Sequence, residues 1–258
     1  MTVALVTGAA KRLGREMALY LAGRGYDVAI HYAGSQADAE QTATDARALG
    51  VKAHTFQTDL LDTEATQDLV PQVAKAMGQL QVLVNNASIF DYDNIHSATL
   101  DSWDRHIGSN LRAPFQLIQA FAAQAPKAKA DENGEPQAQG LVVNMVDQRV
   151  LKPTPEFMTY SLAKAGLWSL TRTAAQALAP GIRVNAIGPG PTMIGARQSQ
   201  QHFDAQRAST ILKRGSDPHG ITQALGYFLD ARAVTGQLVC VDGGQHLGWQ
   251  TPDVIGRE

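Results

Sequence analysis

The chain has 258 residues, 44% of them hydrophobic and 18% charged, a length that suits one large domain or two small ones; as a single domain it buries a full core without disulfides or structural metal. A single cysteine, Cys240, excludes a disulfide framework, a zinc ribbon and a cysteine-ligated iron–sulfur cluster, and points to a reducing compartment. A net charge of −2 with no basic block argues against a nucleic-acid partner, and no apolar run approaches the ~20 residues of a membrane span. The N-terminus enters an apolar run with no basic segment before it, so a cytoplasmic start is expected.

Short apolar runs alternate with longer segments of helical period. Val3–Val6 is wholly apolar, as a strand buried on both faces would be. Gly14–Leu21 reads as a helix and Asp27–Tyr32 as the next strand. Gln36–Leu49 is Ala-rich and closed by Gly50, a helix-stop signal. Val51–Phe56 is a third strand, and Thr63–Met77 a helix in which Pro71 predicts a kink or a later start. Val82–Val84 is a fourth strand, and Leu100–Ala123 a long helix. Leu141–Val146 is a strand, Tyr160–Leu178 a helix stopped by Pro180-Gly181, and Ile182–Ile187 a strand. Pro218–Leu229 is a helix and Gln237–Val241 a last strand. Strands alternating with helices predict right-handed βαβ units: an α/β fold with one sheet of about seven parallel strands, helices on both faces, in one domain over residues 1–258. Ala125–Gly140 is polar and reads as a mobile surface loop. Pro189–Asp217 is irregular and follows a strand, where a ligand crevice would lie, so it is the lid candidate.

The first strand runs into Thr7-Gly8-Ala9-Ala10-Lys11-Arg12-Leu13-Gly14 and then a helix. Such a turn brings backbone N–H groups to a pyrophosphate at a helix N-terminus. The usual G-x-G-x-x-G is absent. NAD-binding sites place an acid near the end of the second strand, but here the strand ends His31-Tyr32-Ala33-Gly34-Ser35. Lys11 by charge and Ser35 by hydrogen bonding suit a 2′-phosphate, which favours NADP(H); solvated loop residues are the alternative.

Tyr160-Ser-Leu-Ala-Lys164 sets a phenol and an ammonium four residues apart, on one face of a helix. A nearby cation stabilises phenolate, so a Tyr pKa below the ordinary value of about 10 is expected. Thr7-Gly8, Asn85-Asn86-Ala87, Asn110, Tyr160/Lys164 and Pro189-Gly190 occur in that order along the chain. Together they resemble the short-chain dehydrogenase/reductase family over essentially the full length. The resemblance implies a single-domain Rossmann-type doubly wound sheet of seven strands and hydride transfer to or from a nicotinamide. It makes Tyr160 the acid/base, Lys164 the holder of the nicotinamide ribose and Asn110 the anchor of a relay water. It puts Asp59 on adenine and Asn86 along the cofactor path.

Three departures stand out. The family's serine is replaced by Asp147, in Asn144-Met145-Val146-Asp147. An ionised Asp only accepts hydrogen bonds and would repel a developing alkoxide, although it suits a substrate with N–H groups. Arg12 stands where the turn's middle Gly would be, and Phe90 follows Asn86-Ala87-Ser88. These departures resemble one branch, the pteridine and dihydromonapterin reductases. That likeness implies a planar pterin or folate-type substrate stacked on Phe90, with Arg12 and Ser88 at its edge and Asp147 and Tyr160 delivering a proton. It extends the cofactor set to Gly8, Lys11, Arg12, Leu13, Gly14, His31, Tyr32, Ser35, Asp59, Leu60, Asn86, Ala87, Ser88, Tyr160, Lys164, Pro189, Gly190 and Thr192. A loop role for Thr192, core packing for Phe90 and a strand-end cap for Asp147 are the plain alternatives. An ordinary carbonyl reductase and a non-catalytic NADPH-binding sensor are the rival functions. The family further implies a homotetramer of twofold symmetry. No metal site is expected. His96, His106, His202 and His219 read as surface residues, Cys240 as inert core, and Trp103, Trp168 and Trp249 as core or interface.

Overall fold

The computed structural model describes residues 2–195 and 198–251. Its main sheet has seven strands in the order β3-β2-β1-β4-β7-β8-β9, with every pairing parallel. The elements in chain order are β1 (Val3–Val6), α1 (Arg12–Gly23), β2 (Asp27–Tyr32), α2 (Gln36–Ala48), β3 (Ala53–Gln57), α3 (Thr63–Met77), β4 (Leu80–Asn85) and α4 (Leu100–Ile107). After them come α5 (Ala113–Gln124), β5 (Lys129–Ala130), β6 (Pro136–Gln137), β7 (Gly140–Met145), α6 (Met158–Leu178), β8 (Ile182–Pro189), α7 (Gln200–Ala208), α8 (Pro218–Asp230) and β9 (Leu238–Val241).

Alternation along β1 shows why its run is apolar throughout. Ala4 and Val6 enter the core built with Met17 and Leu21 of α1 and Phe228 of α8. Val3 and Leu5 enter the opposite core, with Leu69 of α3 and Phe121 of α5. Each strand residue therefore meets a helix layer, which is what a doubly wound parallel sheet requires. The strand order reverses between β1 and β4, and the crevice at the carboxyl ends of these two strands is the ligand position for such a sheet.

Several expectations change. The third strand is Ala53–Gln57, shifted from 51–56. Pro71 does not delay α3, which runs through it: Asp62 caps the helix through Glu64 and Ala65 N–H, both at 3.0 Å, and Pro71 is on the exposed face with Gln67, whose carbonyl water can serve. The long helix from Leu100 is interrupted by a π-helical turn at Gly108–Arg112. Its cause lies in the sequence: Pro114 has no N–H to give the carbonyl of Asn110, four residues before it. The polar segment 125–140 is not wholly irregular, since β5 and β6 pair antiparallel within it, and the lid candidate carries α7. No helix among the described residues is long and apolar enough to cross a membrane.

Candidate active site

The turn after β1 is built around two glycines. Gly8 has φ +61°, a left-handed conformation that glycine adopts without strain. A Cβ on Gly14 would stand 2.1 Å from Gly8 O, so only glycine lets α1 start this close to the strand end. Thr7 and Asn86 tie the turn to β4. Thr7 Oγ1 accepts from Asn86 N–H (2.9 Å) and Ala87 N–H (3.0 Å), while Asn86 Nδ2 donates to Thr7 O (2.9 Å). Around this turn is a cavity of about 450 Å³ lined by Gly8, Lys11, Arg12, Leu13, Gly14, His31, Ala33, Asp59, Leu60, Asn86, Ala87 and Ser88, among others. The α1 N-terminus opens into it, and that first turn has no acidic residue. A dinucleotide pyrophosphate fits this cradle.

The structure refines several residues assigned to the cofactor. His31 is buried and already engaged: Gly8 N–H donates to its Nδ1 (3.0 Å), and its Nε2–H donates to Thr58 O (2.9 Å). These partners fix a neutral ring, and burial pushes its pKa down to about 4. His31 thus braces the turn. Tyr32 is buried, and Ser35 stands at the N-cap of α2, outside the lining. Lys11 pairs with Asp38 at 2.8 Å, both half-exposed, so the charge intended for a 2′-phosphate is shared with an acid in this state. Asp59 lines the cavity while its Oδ1 accepts from Leu61 N–H at 3.0 Å.

A second cavity of about 550 Å³ adjoins the first through Arg12 and Leu13, which line both. Its walls include Phe90, Asp147, Arg149, Phe157, Tyr160, Pro189, Gly190, Thr192 and Met193. Ser88 lines the first cavity and not this one, and its Oγ donates to Ile89 O at 3.3 Å. Arg12 keeps the left-handed backbone of the glycine it replaces, φ +53°, at a cost of about 1 kcal/mol. Its guanidinium donates to Ile194 O (2.8 Å) and Met193 O (3.2 Å), so it holds the lid rather than pointing freely at a phosphate. Thr192 Oγ1 donates to Gly190 O at 3.0 Å.

The candidate reacting groups meet at the end of β7 and the start of α6. Tyr160 and Lys164 share the inner face of α6, both buried. The Tyr160 phenol donates to Asp147 Oδ2 at 3.0 Å. Asp147 also caps the short 3₁₀ turn at Gln148–Val150 by accepting from Arg149 N–H at 2.9 Å. The strand-end cap and the place beside Tyr160 are therefore one arrangement.

The expectation of a depressed Tyr160 pKa is overturned. Burial first, and then the Asp147 charge and hydrogen bond, push it well above the ordinary value of 10. Lys164 Nζ donates to Met145 O (2.8 Å) and stands over the Tyr160 ring, 5.7 Å from its centroid, rather than at the phenol oxygen's hydrogen bond, which goes to Asp147. Burial lowers the lysine's pKa to about 8. The Asn110 side chain is engaged with Ile89, accepting from its N–H (2.9 Å) and donating to its carbonyl (2.8 Å), and Pro114 leaves the main-chain carbonyl of Asn110 without an α-helical partner.

Aromatic groups close one side. Phe90 stacks on Phe157 with centroids 4.4 Å apart and planes at 12°, and meets Tyr160 edge-on at 4.6 Å. Phe90 remains 45% exposed, so it is wall rather than core. Behind Tyr160, His106 is fully buried, not a surface residue. Asp91 N–H donates to its Nε2 (3.1 Å), and its Nδ1–H donates to Thr159 Oγ1 (2.7 Å); Thr159 in turn donates to Asp93. Phe157, Arg149 and the Asp93–Thr159–His106 chain carry no sequence signal, beyond a cation two positions after the strand-end acid. Cys240 is half-buried, and its thiol is pushed up to about 12, mainly by burial. Trp103 and Trp249 are exposed in this chain, not core.

With this geometry in hand, the comparisons decide the family. The short chain dehydrogenase model matches residues 2–205. The chain belongs to the short-chain dehydrogenase family. Among its members, the 3-oxoacyl-[acyl-carrier-protein] reductase FabG of Staphylococcus epidermidis is 32% identical over 250 residues, covering 95% of this chain and 98% of that one. Pteridine reductase 1 of Leishmania tarentolae is 32% identical over 285 residues, covering 95% and 96%. The crystal structure of FolM alternative dihydrofolate reductase 1 from Brucella suis in complex with NADP superposes with a TM-score of 0.89 at 41% identity, over 98% of each chain. This short-chain dehydrogenase is thus an oxidoreductase with the family's sheet and its tyrosine–lysine pair. It differs from an ordinary carbonyl-reducing member in the acid at 147.

Proposed function

We propose that this chain is an NADPH-dependent pteridine reductase, converting a dihydropterin to a tetrahydropterin and possessing the groups to act on an oxidised pterin as well. The observation that carries the reading is the Tyr160–Asp147 hydrogen bond of 3.0 Å on the wall of the substrate cavity. A serine at 147 would donate to a carbonyl oxygen, whereas a carboxylate accepts from ring N–H groups. The likeness to pteridine reductase 1 and to a FolM alternative dihydrofolate reductase supports the same substrate class.

NADP(H), when bound, supplies the hydride. This chain would seat its pyrophosphate on the Gly8–Gly14 turn, with Lys11 released from Asp38 to meet the 2′-phosphate and Lys164 toward the nicotinamide ribose. The cavity, about 550 Å³, is of a size for one flat bicyclic ring against the exposed face of Phe90. Tyr160 holds a proton throughout the neutral range, so it acts as the acid, and the proton it points at Asp147 Oδ2 is delivered to the ring nitrogen by the two groups together. The main-chain carbonyl of Asn110 would hold the water that resupplies it.

The second reading is a carbonyl reductase, favoured by the 32% identity to a 3-oxoacyl-[acyl-carrier-protein] reductase. NADPH oxidation measured against dihydrobiopterin, dihydromonapterin, dihydrofolate, oxidised pterins and a set of aldehydes, ketones and 3-oxoacyl thioesters separates the two. Dihydropterin turnover far above carbonyl turnover supports the pterin reading; carbonyl turnover without pterin turnover removes it. We also propose a homotetramer, supported by the exposed Leu100, Trp103, Phe115 and Leu162 on α4, α5 and α6; sedimentation velocity tests it.

A further inference from the structure

We propose that Arg149 is a positioning residue of the reaction: it clamps the Asp147 carboxylate against the Tyr160 phenol and supplies the fixed positive charge beside that pair. The inference rests on the assignment of Asp147 and Tyr160 to proton transfer, and not on which substrate is reduced.

Both carboxylate oxygens are held by this one residue. Arg149 N–H donates to Asp147 Oδ1 at 2.9 Å, and its guanidinium Nη1 donates to Oδ2 at 3.1 Å. Oδ2 is also the atom that accepts from Tyr160, so the clamp sets the direction of the tyrosine's hydrogen bond. The ion pair is largely out of solvent, with side-chain exposures of 18% and 14%, where charge is screened little. The guanidinium is itself located by aromatic faces, its Cζ lying 5.3 Å from the Phe157 centroid and 5.7 Å from that of Phe90. One side chain therefore links the acid, the tyrosine and the stacked wall of the substrate cavity.

On α6, Lys164 is spent on Met145 O and titrates near pH 8, so its charge is partial over the working range. On α4, His106 lies 6.1 Å from the Tyr160 ring, and burial lowers its pKa, favouring the neutral form. Asp93 is satisfied by Thr159 and Ser102. On β9, the Cys240 thiol stays neutral, and the following Asp242 is paired with His246 at 2.7 Å. A guanidinium, unlike these groups, is a fixed positive charge with a planar fork of donors. That of Arg149 opposes the rise that burial and Asp147 impose on Tyr160.

The test uses Arg149→Met, Arg149→Lys and Arg149→Ala in the full chain, with whichever substrate the wild type turns over. NADPH binding, read by fluorescence, reports the folded cofactor site. The expected result is NADPH affinity near wild type, kcat lowered roughly tenfold or more in Arg149→Met, and an alkaline limb of the kcat profile moved to higher pH. Arg149→Lys recovers part of kcat, and guanidinium ion in the buffer rescues Arg149→Ala. Unchanged kcat and pH profile in Arg149→Met would overturn the proposal, as would a loss confined to KM. If Arg149→Met does not fold, Arg149→Lys decides: wild-type kcat and profile overturn the clamp, and a lowered kcat with unmoved KM supports it. Wild-type turnover of carbonyls alone would remove the pterin reading and leave this comparison to be run on the carbonyl. Dihydropterin turnover with an indifferent Arg149→Met would remove only the inference.

Discussion

The Tyr160 phenol donates its proton to Asp147 Oδ2 across 3.0 Å, from the first turn of α6 to the end of β7. The tyrosine is buried and the acid largely so, and burial with the neighbouring charge keeps the phenol protonated. The pair is thus set to deliver a proton rather than to abstract one at neutral pH.

Replacing the acid tests that polarity. Asp147→Ser is expected to lower dihydropterin kcat/KM by about tenfold to a thousandfold and to raise carbonyl turnover, because a hydroxyl donates to a carbonyl oxygen and a carboxylate does not. Steady-state kinetics on one dihydropterin and one ketone checks it. Undiminished pterin activity would show that Asp147 serves only as the cap of the turn after β7.

Lys164 trades stability for function. Its pKa falls from 10.5 to about 8, so at pH 7 both folded and unfolded chains hold the proton and the burial cost is fully present. Stability should therefore rise as pH increases from about 8 toward 10.5. Lys164→Met should melt higher than wild type at pH 7, by up to ~3 kcal/mol in the cofactor-free protein, and lose kcat by about a hundredfold or more. Melting curves with and without NADPH, beside turnover, decide the point.

His31 makes the cofactor turn sensitive to acid. Its pKa is lowered from 6.5 to about 4, so above pH 6.5 both states are neutral and nothing is lost. As pH falls from 6.5 toward 4, the unfolded chain takes up a proton that the native imidazole refuses, and stability drops. Protonating Nδ1 would also break its bond from Gly8 N–H. Thermal melts of the wild type should fall across this window and those of His31→Gln less steeply; parallel curves would refute the assignment.

Arg207 ties the lid at its base. Its Nη1 donates to Pro191 O at 2.9 Å and to Ser216 O at 2.5 Å, joining the two ends of the lid segment. Arg207→Met should raise substrate KM by roughly tenfold, or about 1.4 kcal/mol, while NADPH affinity stays near wild type. Equal losses for substrate and cofactor would show a general disturbance instead.

The order of elements, the parallel sheet, the Gly8–Gly14 turn and the shared face of Tyr160 and Lys164 were legible in the sequence, because periodicity, breakers and four-residue spacing are local signals. Asp147 in place of serine was legible too, as a residue type at a known position. What surrounds those groups was not. His106 reaches Thr159 across 53 positions of chain, and Arg12 reaches Ile194 across 182, so no local pattern announces either contact. The same holds for charge. Spacing predicts a cation next to the phenol; packing sets Lys164 Nζ on Met145 O and over the Tyr160 ring, and it is the Asp147 carboxylate, held by Arg149, that takes the phenol's hydrogen bond. Sequence determined which chemical groups this chain carries and on which elements. Tertiary structure decided their protonation and partners, because desolvation and Coulomb energy depend on burial and through-space distance, and neither is a property of position along the chain.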